Sequence, residues 1–100
     1  MTLEEMFELD IKIHDLREPD DLTPKAHRVR FYSADIAAAW PLFEEMARSE
    51  ETQSLDLEYS PKWQWCVART ANSTVYTTAS DTAPHAIALA YLQWRQGVSS

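Results

Sequence analysis

Glycine is almost absent from this chain: Gly97 stands alone among 100 residues. Loops that cradle phosphate need the backbone to approach the ligand closely, so nucleotide-binding motifs of the glycine-rich kind are missing. Cysteine is equally scarce. A lone Cys66 forms no internal disulfide and suits a reducing compartment. Metal-ligand spacing is also missing, since His14, His27 and His85 lie far apart with no Cys-x-x-Cys or His-Glu-x-x-His pattern. No apolar run approaches the roughly 18 residues that a membrane helix needs. The opening MTLEEMFELD is acidic, which fits neither a secretory signal nor an organelle-targeting peptide. Basic residues are in deficit: 9 Lys and Arg face 16 Asp and Glu, for a net charge of −7. Phosphate backbones repel such a chain, which argues against general nucleic-acid binding. The expectation is a soluble cytoplasmic protein without cofactor or metal.

What is present supports one domain, residues 1–100, with 45% hydrophobic residues and four tryptophans for its core. The acids come in two blocks. Residues 1–21 hold Glu4, Glu5, Glu8, Asp10, Asp15, Glu18, Asp20 and Asp21 against Lys12 and Arg17. Residues 44–58 hold Glu44, Glu45, Glu50, Glu51, Asp56 and Glu58 against Arg48. These runs are solvated and lack the apolar setting that would raise one carboxyl pKa for acid–base work. Lys25, His27, Arg28 and Arg30 make the one basic patch.

Two readings compete at the N-terminus. Thr2 followed by Glu5 fits a capping box that opens a helix at Leu3. Yet Phe7, Leu9, Ile11 and Ile13 alternate with polar residues, the period of a strand. The stretch EPDDLTPK (18–25) reads as an exposed loop. Over 33–51 the spacing predicts a helix, capped by Ser33 with Asp35 in its first turn. Its core stripe would be Ile36, Trp40, Phe43 and Ala47, kinked at Pro41. Three strands follow at 55–59, 63–69 and 74–79, with turns at Ser60-Pro61-Lys62 and Ala71-Asn72-Ser73. Short links of that kind make an antiparallel meander. Trp63, Trp65 and Val67 would share one face and Gln64, Cys66 and Ala68 the other. The smaller face would take the N-terminal segment or a second copy of the chain. Cys66, in mid-strand, reads as a small hydrophobe rather than a nucleophile. Trp63 or Tyr59, beside the first turn, is a candidate exposed anchor, since such residues dominate interface hot spots.

The stretch SDTAPHAIALAYLQW (80–94) looks at first like chemistry, with Asp81 and His85 in front of an apolar run. Every residue in it has a helical role instead. Thr82 is the hydroxyl cap, Pro84 lies in the first turn, and Asp81 suits the dipole. Ala83, Ile87, Ala90, Tyr91 and Trp94 form a core stripe, and Arg95 with Gly97 makes the stop. His85 falls off that stripe and is expected to be exposed. Together with YSADIAAAW (Tyr32–Trp40) and the strand Trp63–Cys66, this segment resembles the phage ABA sandwich domain family over roughly residues 31–95. The chain departs from that pattern in its acidic first 30 residues, and in Ala88 where many members carry cysteine. The resemblance implies bacteriophage or prophage origin and an α-β-α arrangement, but no activity.

The sequence therefore predicts an α+β domain: a three-stranded antiparallel sheet packed against two amphipathic helices, with an acidic N-terminal helix or strand. Residues 1–30 form a variable acidic element and 31–97 an α-β-β-β-α core. The expected role is non-catalytic: a phage or prophage protein that binds and inhibits a host antiviral defence complex, of which a CRISPR effector is the favoured target. Its acids would imitate nucleic acid and steer the protein to a basic host surface in the bacterial cytoplasm. The candidate contact residues are Asp15, Glu18, Asp20, Asp21, Glu44, Glu45, Glu50, Glu51, Asp56 and Glu58. One alternative is a sponge for a host signalling nucleotide, using Lys25, Arg28 and Arg30 near Tyr32. Another is an oligomeric accessory protein of phage DNA metabolism.

Overall fold

The computed structural model describes residues 2–18 and 29–97. Thr2 caps the first helix, α1 (Leu3–Arg17), through a reciprocal box: the Glu5 amide donates to Thr2 Oγ1 at 3.2 Å and the Thr2 amide to Glu5 Oε1 at 3.4 Å. Residues 7–14 are therefore helix and not strand. On that helix Leu9 and Ile13, four apart, enter the core while Phe7 faces water.

The second helix, α2 (Ile36–Ala47), is capped two residues later than Ser33 suggests. Asp35 is the N-cap, and its Oδ1 accepts the Ala37 amide at 3.0 Å. Ser33 is instead fully buried, its amide donating to Asp10 Oδ1 at 2.9 Å. The helix runs through Pro41. Its core stripe is Ala39, Leu42 and Met46, whereas Ile36 and Trp40 are 47% and 45% exposed. The segment IAAAWPLF is apolar on almost every side, so two stripes with helical spacing lie about 100° apart. Spacing alone cannot choose between them.

The strands β1 (Ser54–Ser60), β2 (Gln64–Ala71) and β3 (Thr74–Ser80) form an antiparallel meander in that spatial order. Leu57 pairs with Val67, and Val67 with Thr78. The second turn has two residues, Asn72 and Ser73, with φ of 53° and 64°, the geometry that matches strand twist. At the first turn Gln64 has φ 61°, and this left-handed residue breaks the alternation. Trp63 is consequently a turn residue, 61% exposed, and does not share the inward face of Trp65 and Val67.

Helix α3 (Ala83–Arg95) carries Pro84 in its first turn and ends at Gly97, φ 65°, as its sequence predicts. Thr82 is the N-cap residue, but its hydroxyl makes no capping bond. Buried residues surround α3: His85, Ala86, Ile87, Ala88, Ala90 and Tyr91. Helix α3 packs on β2, β3 and α2, and α1 packs on α3. His85 therefore lies on a packed side of α3, 8% exposed, which corrects the expectation of exposure. The outward face of the sheet carries Asp56, Glu58, Val75, Thr77 and Ala79, all exposed, so α1 does not cover it. Among the described residues no helix is long and apolar enough to cross a membrane.

Candidate functional site

The acids singled out in the sequence do not form one surface. Asp15 is exposed on α1, and Glu18 follows its last turn with a carboxylate 3.7 Å from His14 Nδ1. Asp20 and Asp21 lie outside the described residues, as do Lys25, His27 and Arg28 and most of the loop 18–25. Glu44 pairs along α2 with Arg48 at 3.4 Å. Glu50 and Glu51 are exposed in the turn after α2. From there the chain enters β1, where alternation turns Asp56 and Glu58 outward, opposite Ala68 and Cys66. None of Glu50, Glu51, Asp56 and Glu58 is held in an ion pair among the described residues.

Glu45 behaves differently. Its carboxylate lies 3.4 Å from Arg17 of α1 and 3.4 Å from Arg95 of α3, and it accepts the Tyr91 hydroxyl at 3.1 Å. Arg95 also donates to Tyr91 Oη at 2.9 Å and to the Leu16 carbonyl at 2.8 Å. Burial, reinforced by the Glu45 charge, pushes the Tyr91 hydroxyl up to about 12. This group clasps three helices together across a cleft of about 420 Å³. Sequence reading placed Glu45 among free surface acids because its partners lie 28 and 50 residues away.

Tyr32, beside which the nucleotide-sponge alternative places Lys25, Arg28 and Arg30, is buried at 3% exposure. Arg17 donates to its hydroxyl at 3.3 Å and lies 5.7 Å from the ring centroid, so its ring is not a free platform. Arg30 is exposed beside it, in a cleft of about 200 Å³ with His14, Arg17 and Glu18.

Asp10 and His85, read as surface groups, belong to a buried polar cluster. His85 Nδ1 is hydrogen-bonded to Ser80 Oγ, and the Ser80 hydroxyl donates to Asp81 Oδ1 at 3.0 Å. That leaves the ring holding the hydroxyl oxygen rather than withdrawing its proton, unlike an activated serine. His85 Nε2 is buried with no partner among the described residues. Burial lowers the His85 pKa below its usual 6.5, against the opposing pull of Asp81. As pH falls below 6.5 the unfolded chain therefore takes up the proton first, and stability declines. The variant His85→Asn keeps a polar atom near Nδ1 but does not titrate. It is expected to reduce the fall in melting temperature between about pH 7 and about pH 5. An unchanged slope would assign the loss to other groups.

At the turn end of the β1–β2 hairpin, Tyr59 and Trp63 are both exposed, 59% and 61%. Trp63 walls a cleft of about 350 Å³ on the outward face, with Cys66, Thr77, Thr78 and Ala79. Lys62 Nζ sits 5.1 Å from the Trp63 ring centroid. Among the described residues there is no group of His, Cys, Asp and Glu arranged to hold a metal ion.

Comparison with known proteins agrees with this architecture. Residues 4–92 match the family model of the phage ABA sandwich domain. No curated protein matches the chain. A solved structure of a phage protein from Bacillus cereus ATCC 14579 has a similar fold, with a TM-score of 0.66 and 22% identity. The likeness covers 92% of this chain and 90% of that one, and at this identity it speaks of fold alone.

Proposed function

The chain belongs to the phage ABA sandwich domain family, and from this premise we propose that it is a non-catalytic phage or prophage protein that binds and inhibits a host antiviral defence complex. The proposed target is a CRISPR effector in the host cytoplasm, whose basic nucleic-acid channel the acidic protein occupies in place of phosphates. The observation that carries the reading is the run Glu50, Glu51, Asp56 and Glu58: exposed, without ion-pair partners among the described residues, and continuous along the chain from the end of α2 onto β1. Uncompensated acids of this kind raise association rates with basic surfaces by about 10- to 10³-fold at low salt.

The experiment is the plating efficiency of a CRISPR-targeted phage on immune bacteria, with and without the protein. Rescue that disappears in cells lacking the CRISPR system supports the reading, and no rescue across several CRISPR types removes it. Reversing Glu50, Glu51, Asp56 and Glu58 to lysine is expected to abolish rescue and to weaken binding about 10- to 10³-fold at low salt. Glu45 should be left intact in that variant, because its reversal would break the clasp of Arg17, Tyr91 and Arg95 and confuse folding with binding. Binding that is indifferent to both salt and charge reversal would exclude nucleic-acid mimicry.

A further inference from the structure

Among the described residues, no helix covers the outward face of the sheet. Its residues are read from the strand register. Glu58, Cys66 and Ala79 make one row, and Asp56, Ala68 and Thr77 the next. Direct cross-strand neighbours on one face have Cβ atoms about 5 Å apart. Glu58 is therefore the cross-strand neighbour of Cys66, which lines a cleft together with Trp63, Thr77, Thr78 and Ala79. The floor is made of small residues, so a long side chain can lie flat across it. No Lys or Arg points outward from these rows to neutralise the acids.

We propose that this face binds an arginine side chain from a basic partner surface, with the guanidinium lying on the Trp63 indole and donating to Glu58 and Asp56. The inference rests on the functional reading above and names the contact that would serve it. Two independent features point to a cation here. The first is charge: Asp56 and Glu58, without an ion-pair partner among the described residues, lie on the same outward face as the cleft that Trp63 lines. The second is that the indole already presents its face to a positive group, the chain's own Lys62, at 5.1 Å. An exposed cation on an indole contributes only about 0.5–1 kcal/mol, so an incoming group displaces Lys62 at small cost. Arginine fits better than lysine. Its planar fork stacks on the ring and donates to carboxylates in pairs, whereas an ammonium is a strongly hydrated point charge.

The test uses the intact protein, labelled with ¹⁵N, titrated with hexa-arginine and separately with hexalysine. Amide shifts are expected at Asp56, Glu58, Cys66, Thr77 and Ala79 and at the Trp63 indole, with hexa-arginine about 3- to 10-fold tighter. Trp63→Ala should remove that preference, and Thr77→Arg, which fills the cleft with a guanidinium, should abolish binding at the face. Both positions are exposed, so both variants should fold. Three results overturn the proposal: equal affinity for the two peptides, shifts centred on Glu4–Asp15 or Glu44–Glu51, or no effect of Trp63→Ala. Sedimentation showing a second copy of the chain on this face also overturns it. Peptide binding without phage rescue would instead refute the choice of target and leave the arginine site standing.

Discussion

Leu42→Ala is expected to cost about 2–5 kcal/mol of stability, while Trp40→Ala, two positions earlier in the same helix, should cost about 1 kcal/mol. Leu42 is fully buried and belongs to the cluster with Ala39, Met46, Ile87 and Tyr91, so truncation leaves a cavity that the rigid surroundings only partly fill. Trp40 is 45% exposed and stacks on Phe43 with centroids 4.9 Å apart, so its loss uncovers one neighbour and opens no cavity. In a domain of this size each kcal/mol shifts the melting temperature by about 4–8 °C. Leu42→Ala should therefore melt at least 10 °C or so lower than the parent, and Trp40→Ala only a few degrees lower. The comparison discriminates strongly, because the apolar stripe legible in the sequence predicts the reverse order. Equal losses, or a greater loss for Trp40, would mean that α2 sits rotated by about one residue.

Asp10→Ala is the second large effect, at about 1–3 kcal/mol. The Asp10 carboxylate accepts the amide of the fully buried Ser33 at 2.9 Å, the tie between α1 and the turn that leads into α2. Removing it strands a donor away from water, and that is the expensive half of losing a hydrogen bond. Asp10→Asn should cost much less, since its amide oxygen still accepts from Ser33. Burial raises the Asp10 pKa above 3.8, opposed by its bonds to Ser33. Between 3.8 and that higher value the folded chain binds the proton more readily, so this group favours folding as pH falls. The sign is opposite to that of His85, and the two act in different pH windows. Urea unfolding at neutral pH, with hydrogen exchange of the Ser33 amide, checks the prediction. If Asn proves as damaging as Ala, the charge rather than the acceptor matters at this site.

Of the candidate surface, Asp56 and Glu58 were legible because a strand with Leu55, Leu57 and Tyr59 on one side must turn its acids to the other. Core and surface were both open for Trp63, and the left-handed Gln64 goes with its place in the turn, exposed to water. Glu45, Asp10 and His85 were misread because their surroundings are set by tertiary packing. Glu45 and Asp10 are polar, sit in segments with water-facing neighbours, and acquire their partners from a distant part of the chain, Arg95 and Ser33, whereas His85 bonds Ser80 only five residues back and is buried by the packing of α3. Pattern along a chain reports what a residue's own helix or strand requires. It says nothing of a group brought in from elsewhere.

The sequence by itself determined the elements: a capped N-terminal helix in competition with a strand, a second helix, a three-strand meander with its two turns, and a last helix from Pro84 to Gly97. These follow from backbone chemistry within a few residues, where caps, fixed proline φ and side-chain period act. Only the tertiary structure decided which stripe of α2 is core, that His85 lies buried on α3, that α1 packs on α3, and that no described helix covers the outward sheet face. Those choices depend on which surfaces fill each other's volume at close packing, and that is a property of the assembled elements rather than of any one of them.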